Sequence, residues 1–267
     1  MLTKAPRGTK DITPSESYKW NYLESKFKNL CSLYGYEEIR TPIFENTELF
    51  QRGVGDTTDI VQKEMYSFKD KGDRSITLKP EGTAGVVRAF IENKMYADAQ
   101  PTKLFYITPC FRYERPQSGR QRQFHQFGIE AIGSDTPSLD AEVIELATQF
   151  LGEVGLKDLS VSINSVGCPV CRESYNEKLK KYLASKEDVL CDLCNERREK
   201  NPMRVIDCKN ETCQANIQDI PLIADNLCED CQNHFDTLKS YLDEMNIKYE
   251  VDKKIVRGLD YYKRTAF

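Results

Sequence analysis

The sequence predicts an α+β fold with a smaller helical, cysteine-rich insertion. Three observations lead there. Apolar residues recur at helical spacing in several stretches, strand-like runs divided by turn residues pair as antiparallel hairpins, and after Cys168 the pattern breaks into short helical pieces punctuated by cysteine pairs. At 267 residues, 39% hydrophobic and 30% charged, the chain can bury a sizeable core, which excludes intrinsic disorder.

Taken in order, Ser15 and Glu16 precede Leu23, Phe27, Leu30, Cys31 and Tyr34, which share one helical face, and Gly35 stops that helix. Residues 36–40 then read as a strand; Pro42 has no N–H to give a ladder, so this strand ends there or lies at an edge or interface. Residues 64–69 and 74–79 form a hairpin around Asp70-Lys71-Gly72-Asp73, with Gly72 free to take positive φ. Thr83 reads as the N-cap of a helix carrying Val86, Val87, Phe90, Ile91 and Met95. A strand at 103–108 and another at 124–132 flank a charged loop. Val143, Ile144, Ala147, Phe150 and Leu151 mark a helix ending near Gly152 or Gly155, and 159–164 is a further strand. Residues 1–167 are therefore expected to form a core, 168–250 an inserted module containing Tyr175, Leu179, Tyr182 and Leu183 on one helix, and 251–267 a return to the core. Neither repeats nor low-complexity tracts interrupt it.

Period two sorts residues 124–132 into two faces. His125, Phe127, Ile129 and Ala131 look like core, whereas Phe124, Gln126, Gly128 and Glu130 place two polar side chains on either side of a residue with no bulk. Gly128 weakens a strand and calls for a reason such as a close ligand. Arg112 and Glu114 share a face of the preceding strand; they are either a surface ion pair or part of a pocket with the first face.

Lys and Arg number 38 against 42 Asp and Glu, so binding to anions or nucleic acid must come from a local patch. Residues 103–125 supply one: Lys103, Arg112, Arg115, Arg120 and Arg122 face only Glu114. The N-terminus lacks an apolar signal region and no run approaches a membrane span, so a soluble, cytoplasmic protein without membrane contact is expected. Eight of the ten cysteines fall between Cys168 and Cys231. Cys168-x2-Cys171-x19-Cys191-x2-Cys194 and Cys208-x4-Cys213-x14-Cys228-x2-Cys231 have zinc-ribbon-like spacing, enough for two tetrahedral Zn2+ sites; the other reading is free buried thiols. Cys31 and Cys110 read as small core residues, and neither His125 nor His234 is assigned a catalytic role, His234 having no evident partner.

Four stretches carry a family resemblance. Residues 36–42 resemble the first motif of class II aminoacyl-tRNA synthetases, and FRYERPQSGRQRQFHQFGIEAIG at 111–133 resembles the second. LKPEGT at 78–83 and RGLDYY at 257–262 are similar to signatures of the histidyl-tRNA synthetase family, and PRGTKDI near the start agrees. The resemblance implies an antiparallel sheet flanked by helices, homodimerisation through the first motif, ATP with Mg2+ forming a histidyl-adenylate, and transfer of histidine to the tRNA 3′ end. It implies catalytic roles for Arg112, on the substrate carboxylate and the ATP α-phosphate, and for Arg257, on the α-phosphate during reaction. Glu114 would meet the adenine amino group and Phe124 its ring. Glu81, Thr83 and Gln126 would hold the α-ammonium of histidine, with Gly82 beside them; Glu130 and Tyr262 would hydrogen-bond its imidazole, and Tyr261 is either core or site. Arg115, Arg120 and Arg122 would face the tRNA acceptor stem.

The family's third motif and its anticodon-binding domain are not recognisable before Phe267, so a truncated chain is expected, its own activity doubtful. Two further functions are to be separated from the ligase. A histidine-sensing regulatory subunit of ATP phosphoribosyltransferase shares the core but is expected to lack the large insertion and the tRNA-facing arginines. A zinc-dependent nucleic-acid-binding module explains the cysteines but not the polar strand face.

Overall fold

The computed structural model describes residues 3–55, 58, 60–257 and 261–267. The chain divides into two compact units, Met1–Asp135 with Glu145–Lys157, and Thr136–Ile144 with Asp158–Phe267. The cysteine-rich segment lies wholly in the second.

The first unit opens with α1 (Pro14–Leu33), where Pro14 stands at the first turn with its fixed φ and missing N–H tolerated. Gly35, at φ +76°, ends the helix as expected, letting the Tyr36 N–H reach back to the Cys31 carbonyl at 2.9 Å. β1 (Glu37–Glu38), β2 (Phe44–Asn46) and α2 (Thr47–Val54) follow. β3 (Tyr66–Lys69) and β4 (Ser75–Leu78) form the expected hairpin, but Glu64 belongs to a π-helical turn at Ile60–Glu64. Asp73 rather than Gly72 takes the left-handed conformation, at φ +61°. The Asp70 carboxylate explains the exchange, because its Oδ1 accepts from the Gly72 and Arg74 N–H groups at 2.8 and 3.0 Å and winds the turn around itself.

α3 (Thr83–Glu92) begins one residue beyond its N-cap, Gly82. Thr83 is therefore not the cap; Glu81 does that work, its two carboxylate oxygens accepting from the Thr83 and Ala84 N–H groups at 2.8 and 2.9 Å. β5 (Thr102–Phe111) and β6 (Gln123–Ile132) pair antiparallel over ten residues, from Thr102 opposite Ile132 to Phe111 opposite Gln123. β1 lies parallel to β5 at the sheet edge, as expected of one alternative, but it ends at Glu38 rather than Arg40, so Pro42 does not directly close it. The odd-numbered face of β6 is core: Phe127, Ile129 and Ala131 pack against Phe27, Leu30, Cys31 and Phe105, and Phe27 stands edge-on to Phe105, Phe127 and Phe150.

α4 (Pro137–Glu153) is shared between the units by sequence. In the second unit its Ala141 and Ile144 pack with Ile163 of β7 (Val161–Ser165) and Phe235, Leu238 and Leu242 of α8. Between these lie α5 (Pro169–Ala184), α6 (Asp192–Lys200) and α7 (Glu211–Asn216), wrapped around Tyr175, Leu179, Leu183, Val205, Ile206, Ile217 and Ile223; α8 itself spans Glu229–Glu244. β8 (Tyr249–Val251) joins β7 in parallel and β9 (Thr265–Ala266) joins it antiparallel. The described strands thus make three three-stranded sheets, two with a parallel pair, rather than one uninterrupted antiparallel sheet. The α+β class holds.

Candidate functional site

In the first unit a polar constellation stands on the even-numbered face of the β5–β6 pair. The register sets Tyr106, Thr108 and Cys110 opposite Gly128, Gln126 and Phe124, and Arg112 continues the row beyond β5. Residues 80–83 are tied down onto it. The Gly82 N–H donates to Gln126 Oε1 at 3.0 Å, Thr83 Oγ1 to Glu130 Oε1 at 2.7 Å, and Arg112 Nε to the Pro80 carbonyl at 2.9 Å. Lys79 aligns this segment from both sides: its N–H donates to Ile43 and its carbonyl accepts from Phe111, each at 2.9 Å. Arg112, Gln126, Glu130, Glu81, Gly82, Thr83 and Phe124 are therefore gathered as one group, the Arg112 guanidinium lying 5.2 Å from the Phe124 ring centre.

Gly128 has a reason other than a ligand. A Cβ there would come within 2.2 Å of Tyr106 Cζ, and one at Gly82 within 2.3 Å of Tyr106 Cε2, so the Tyr106 ring fills the space between the two glycines. Its hydroxyl lies 3.3 Å from Glu130 Oε1. Tyr106 was not singled out from the sequence because it sits in an apolar run; counting back in twos from Arg112 would have placed it on this face.

Charge in this group is compressed. Burial pushes the Glu130 carboxyl up to about 7, against hydrogen bonds from Thr83 and Tyr106, with the charge of Glu81 adding to the rise. Burial also raises Tyr106, and raises the Cys110 thiol to about 12. Lys79, 1% exposed, is lowered by burial and hydrogen-bonds Thr41, a second residue the sequence reading did not single out. Gln126 Oε1 already accepts from Gly82 and lies 3.3 Å from the Cys110 sulfur, so its carbonyl is oriented before any ligand arrives.

The loop between β5 and β6 turns tightly at residues 117–120, and its arginines are unequal. Arg120 pairs with Glu114 at 3.3 Å; Arg122 lies over the Tyr113 ring at 4.1 Å and donates to the Glu114 carbonyl; Arg115 is exposed. The Gly8 carbonyl accepts from the Arg122 and Gln123 N–H groups at 2.7 and 3.2 Å, which gives the PRGTKDI stretch a structural task. A cavity of about 880 Å3 is lined by Lys4, Ala5, Trp20, Gln123, Phe124 and His125 among others and shares only Phe124 with the candidate site residues. His125 is half-buried, is lowered by burial and packs with its ring centre 4.6 Å from that of Trp20 at the wall of this cavity.

The second unit holds the remaining candidates. Arg257 lies 5.6 Å from the Tyr262 ring centre, and Tyr261 and Tyr262 are stacked at 5.2 Å. Arg257 Nε is buried without a hydrogen-bond partner among the described residues. Gly258, Leu259 and Asp260 of RGLDYY lie outside the described residues. Asn164 steadies the approach to Arg257, donating to the Lys253 and Ile255 carbonyls at 3.2 and 2.8 Å. His234 does have a partner: its Nε2 lies 3.5 Å from Asp140 Oδ2.

All eight cysteines of the insertion are free thiols gathered in two clusters, but not in the order in which they occur. Cys168 and Cys171 join Cys228 and Cys231, while Cys191, Cys194, Cys208 and Cys213 form the other group. Spacing along the chain does not encode this nesting; only the fold-back of α8 onto the start of α5 does. Cys31 and Cys110 are fully buried, as expected of small core residues.

Fold and motif order are those of the class II aminoacyl-tRNA synthetases. Comparison with known proteins narrows the class: the family model described as histidyl-tRNA synthetase matches residues 8–267, and the chain belongs to that family. It is 79% identical over its full length to the histidine–tRNA ligase of Clostridioides difficile and 61% identical to that of Caldanaerobacter subterraneus, and spans 64% of the length of each. Among solved structures it is similar to apo histidyl-tRNA synthetase of Staphylococcus aureus, with a TM-score of 0.79 and 46% identity, covering 98% of this chain and 60% of that one. A Bacillus halodurans protein titled an ATP phosphoribosyltransferase regulatory subunit/histidyl-tRNA synthetase shares the fold at a TM-score of 0.68 and 21% identity, over 99% of this chain and 72% of that one. No helix among the described residues is long and apolar enough to cross a membrane.

Proposed function

We propose that the chain carries the amino-acid-activating core of a histidine–tRNA ligase, which joins histidine to ATP as an adenylate and passes it to the 3′ end of its tRNA. The observation that carries this reading is the attachment of residues 80–83 to the polar face through Gln126, Glu130 and Arg112, which assembles acids, an amide, a guanidinium and an aromatic ring in one place. Glu81, Gly82, Thr83 and Gln126 then bind the histidine ammonium, and Glu130 its imidazole. A carboxyl near 7 facing an imidazole of ordinary pKa about 6.5 matches donor to acceptor at neutral pH. Arg112 neutralises the carboxylate and α-phosphate as they approach one another, while Phe124 and Glu114 hold the adenine of ATP, which enters with Mg2+.

The match of residues 257–262 to the family signature supports assigning Arg257 to the reacting phosphate as a second cation and Tyr261 and Tyr262 to histidine. Arg115, Arg120 and Arg122 serve the acceptor stem; an exposed pair such as Arg120–Glu114 is weak enough to open for a phosphate. Ile43 and Phe44, 45% and 56% exposed just after Pro42, support a homodimer through this edge. Residues 168–250 act as an inserted module whose cysteines hold structural Zn2+, and the protein works in the cytoplasm.

Histidine-dependent exchange of pyrophosphate into ATP tests the reading, measured in a protein carrying this chain at the length of its relatives, with Arg112→Ala and Arg257→Ala alongside. Exchange with histidine alone among the amino acids, lost in both variants, is expected. Histidine binding without exchange would instead assign the chain to the sensing, non-catalytic relatives, and absence of both would sink either reading.

A further inference from the structure

The two thiol clusters share a design. Cys168, Cys191 and Cys228 are the N-cap residues of α5, α6 and α8, and Cys171, Cys194 and Cys231 stand three residues further on, so three CxxC pairs each straddle a helix start. The Sγ atoms of each cluster all lie within 4.8 Å of one another; Cys168 is 3.6 Å from Cys171 and 3.9 Å from Cys228, and Cys191 is 4.0 Å from Cys208. Four sulfurs each about 2.3 Å from one Zn2+ in a tetrahedron stand about 3.8 Å apart, which these separations fit. Backbone N–H groups point at the sulfurs: Cys228 donates to Cys171 and Cys191 to Cys213, both at 3.1 Å, and Asn210 to Cys208 at 3.4 Å. Such donors offset the charge of a thiolate and fix its orientation toward a metal.

Four sulfur ligands select a soft or borderline ion over Mg2+ or Ca2+ and leave no open position for substrate, so the role is structural. The clusters differ in setting. Cys194, Cys208 and Cys213 are members of the apolar core around Tyr175, Leu179 and Ile223, with Cys191 alone of that cluster partly exposed, whereas two of the outer four, Cys168 and Cys228, are partly exposed. The inner cluster lies between residues 171 and 228 of the outer one, so the outer set closes the segment only after it has folded back.

We propose that the insertion is a nested two-zinc module, with an inner Zn(Cys)4 centre built into its core and an outer Zn(Cys)4 clasp joining the starts of α5 and α8, each binding its own ion and the clasp releasing first. This rests on the thiol geometry and stands apart from the ligase reading, since its test needs neither histidine nor ATP. The test is metal analysis of the reduced 267-residue chain, followed by chelation monitored with a zinc indicator, in wild type, Cys231→Ser and Cys194→Ser. Two equivalents of zinc, leaving in two phases of which the faster is missing from Cys231→Ser, is the expected result. One equivalent or none, another metal in place of zinc, release in a single phase, or a fast phase that survives Cys231→Ser overturns it. Where a variant does not fold, Co2+ titration of the metal-stripped wild type decides: two successive equivalents with thiolate-to-cobalt absorption support the pair, and a single equivalent overturns it.

Discussion

Tyr106 and Gly128 face each other across the β5–β6 ladder, and the tyrosine ring occupies the volume in which any larger residue at 128 would place its first carbon, 2.2 Å from Cζ. The ring is 7% exposed, so it has little room to retreat. Gly128→Ala is expected to cost about 1–3 kcal/mol in urea unfolding through overpacking, and to be partly rescued in the Gly128→Ala/Tyr106→Ala double variant. A double variant whose loss is simply the sum of the two single ones would show that the contact does not decide the effect.

Glu130 makes stability depend on pH. Its pKa in the fold, about 7, lies above its ordinary 4.5, so its protonated form favours the native state. That contribution is complete below about pH 4.5 and disappears as pH rises through about 7, a span worth roughly 3 kcal/mol. Glu130→Gln cannot ionise and should gain Tm relative to wild type between about pH 5 and pH 8. Parallel pH profiles for the two proteins would contradict this.

The same titration bears on ligand binding. As pH falls below about 7, Glu130 loses the carboxylate that the proposed function assigns to the imidazole, and on that reading histidine affinity measured by calorimetry should fall with it. In Glu130→Gln the profile should flatten and leave only the titration of the ligand.

Glu81 caps α3 with both carboxylate oxygens while 3% exposed. Glu81→Ala should therefore destabilise by about 1–3 kcal/mol, and Glu81→Gln by less because one acceptor oxygen survives. Equal losses in equilibrium unfolding would mean that the capping bonds are not what the residue contributes.

Arg115 and Arg120 lie on the exposed loop, and Arg120 makes only a surface ion pair. Replacing both with Ala should change stability by no more than about 1 kcal/mol while lowering the salt dependence of tRNA binding by roughly 1–2 in log–log slope. An unchanged slope in filter binding would remove these residues from the proposed acceptor-stem contact.

Much of the site was legible because period two is a strict rule: Phe124, Gln126, Gly128 and Glu130 were bound to share a face once β6 was recognised. What lay on top of that face was not legible. Tyr106 sits in TKLFYITPCF, where an aromatic residue reads as core, and Glu81 reads as a ligand group until α3 is seen to start directly above it. The hairpin was found, but its left-handed residue was misplaced because Asp70 accepts from two backbone N–H groups and reshapes the turn, an effect of side-chain geometry that composition does not register. β2 and α2 were missed altogether: a three-residue strand running straight into an eight-residue helix is too short for either period to declare itself.

The nesting of the cysteines has a consequence for biosynthesis. A chain emerging N-terminus first exposes Cys168, Cys171, Cys191 and Cys194 before Cys208 exists, so the first complete quartet of the insertion's thiols is one that the folded arrangement divides between two clusters. An ion captured by that early quartet must exchange two of its four sulfur ligands before it sits in either proposed centre. Refolding of the reduced chain should accordingly be slower with zinc present from the outset than with zinc added after collapse, and equal rates would show that the early quartet holds no ion for long.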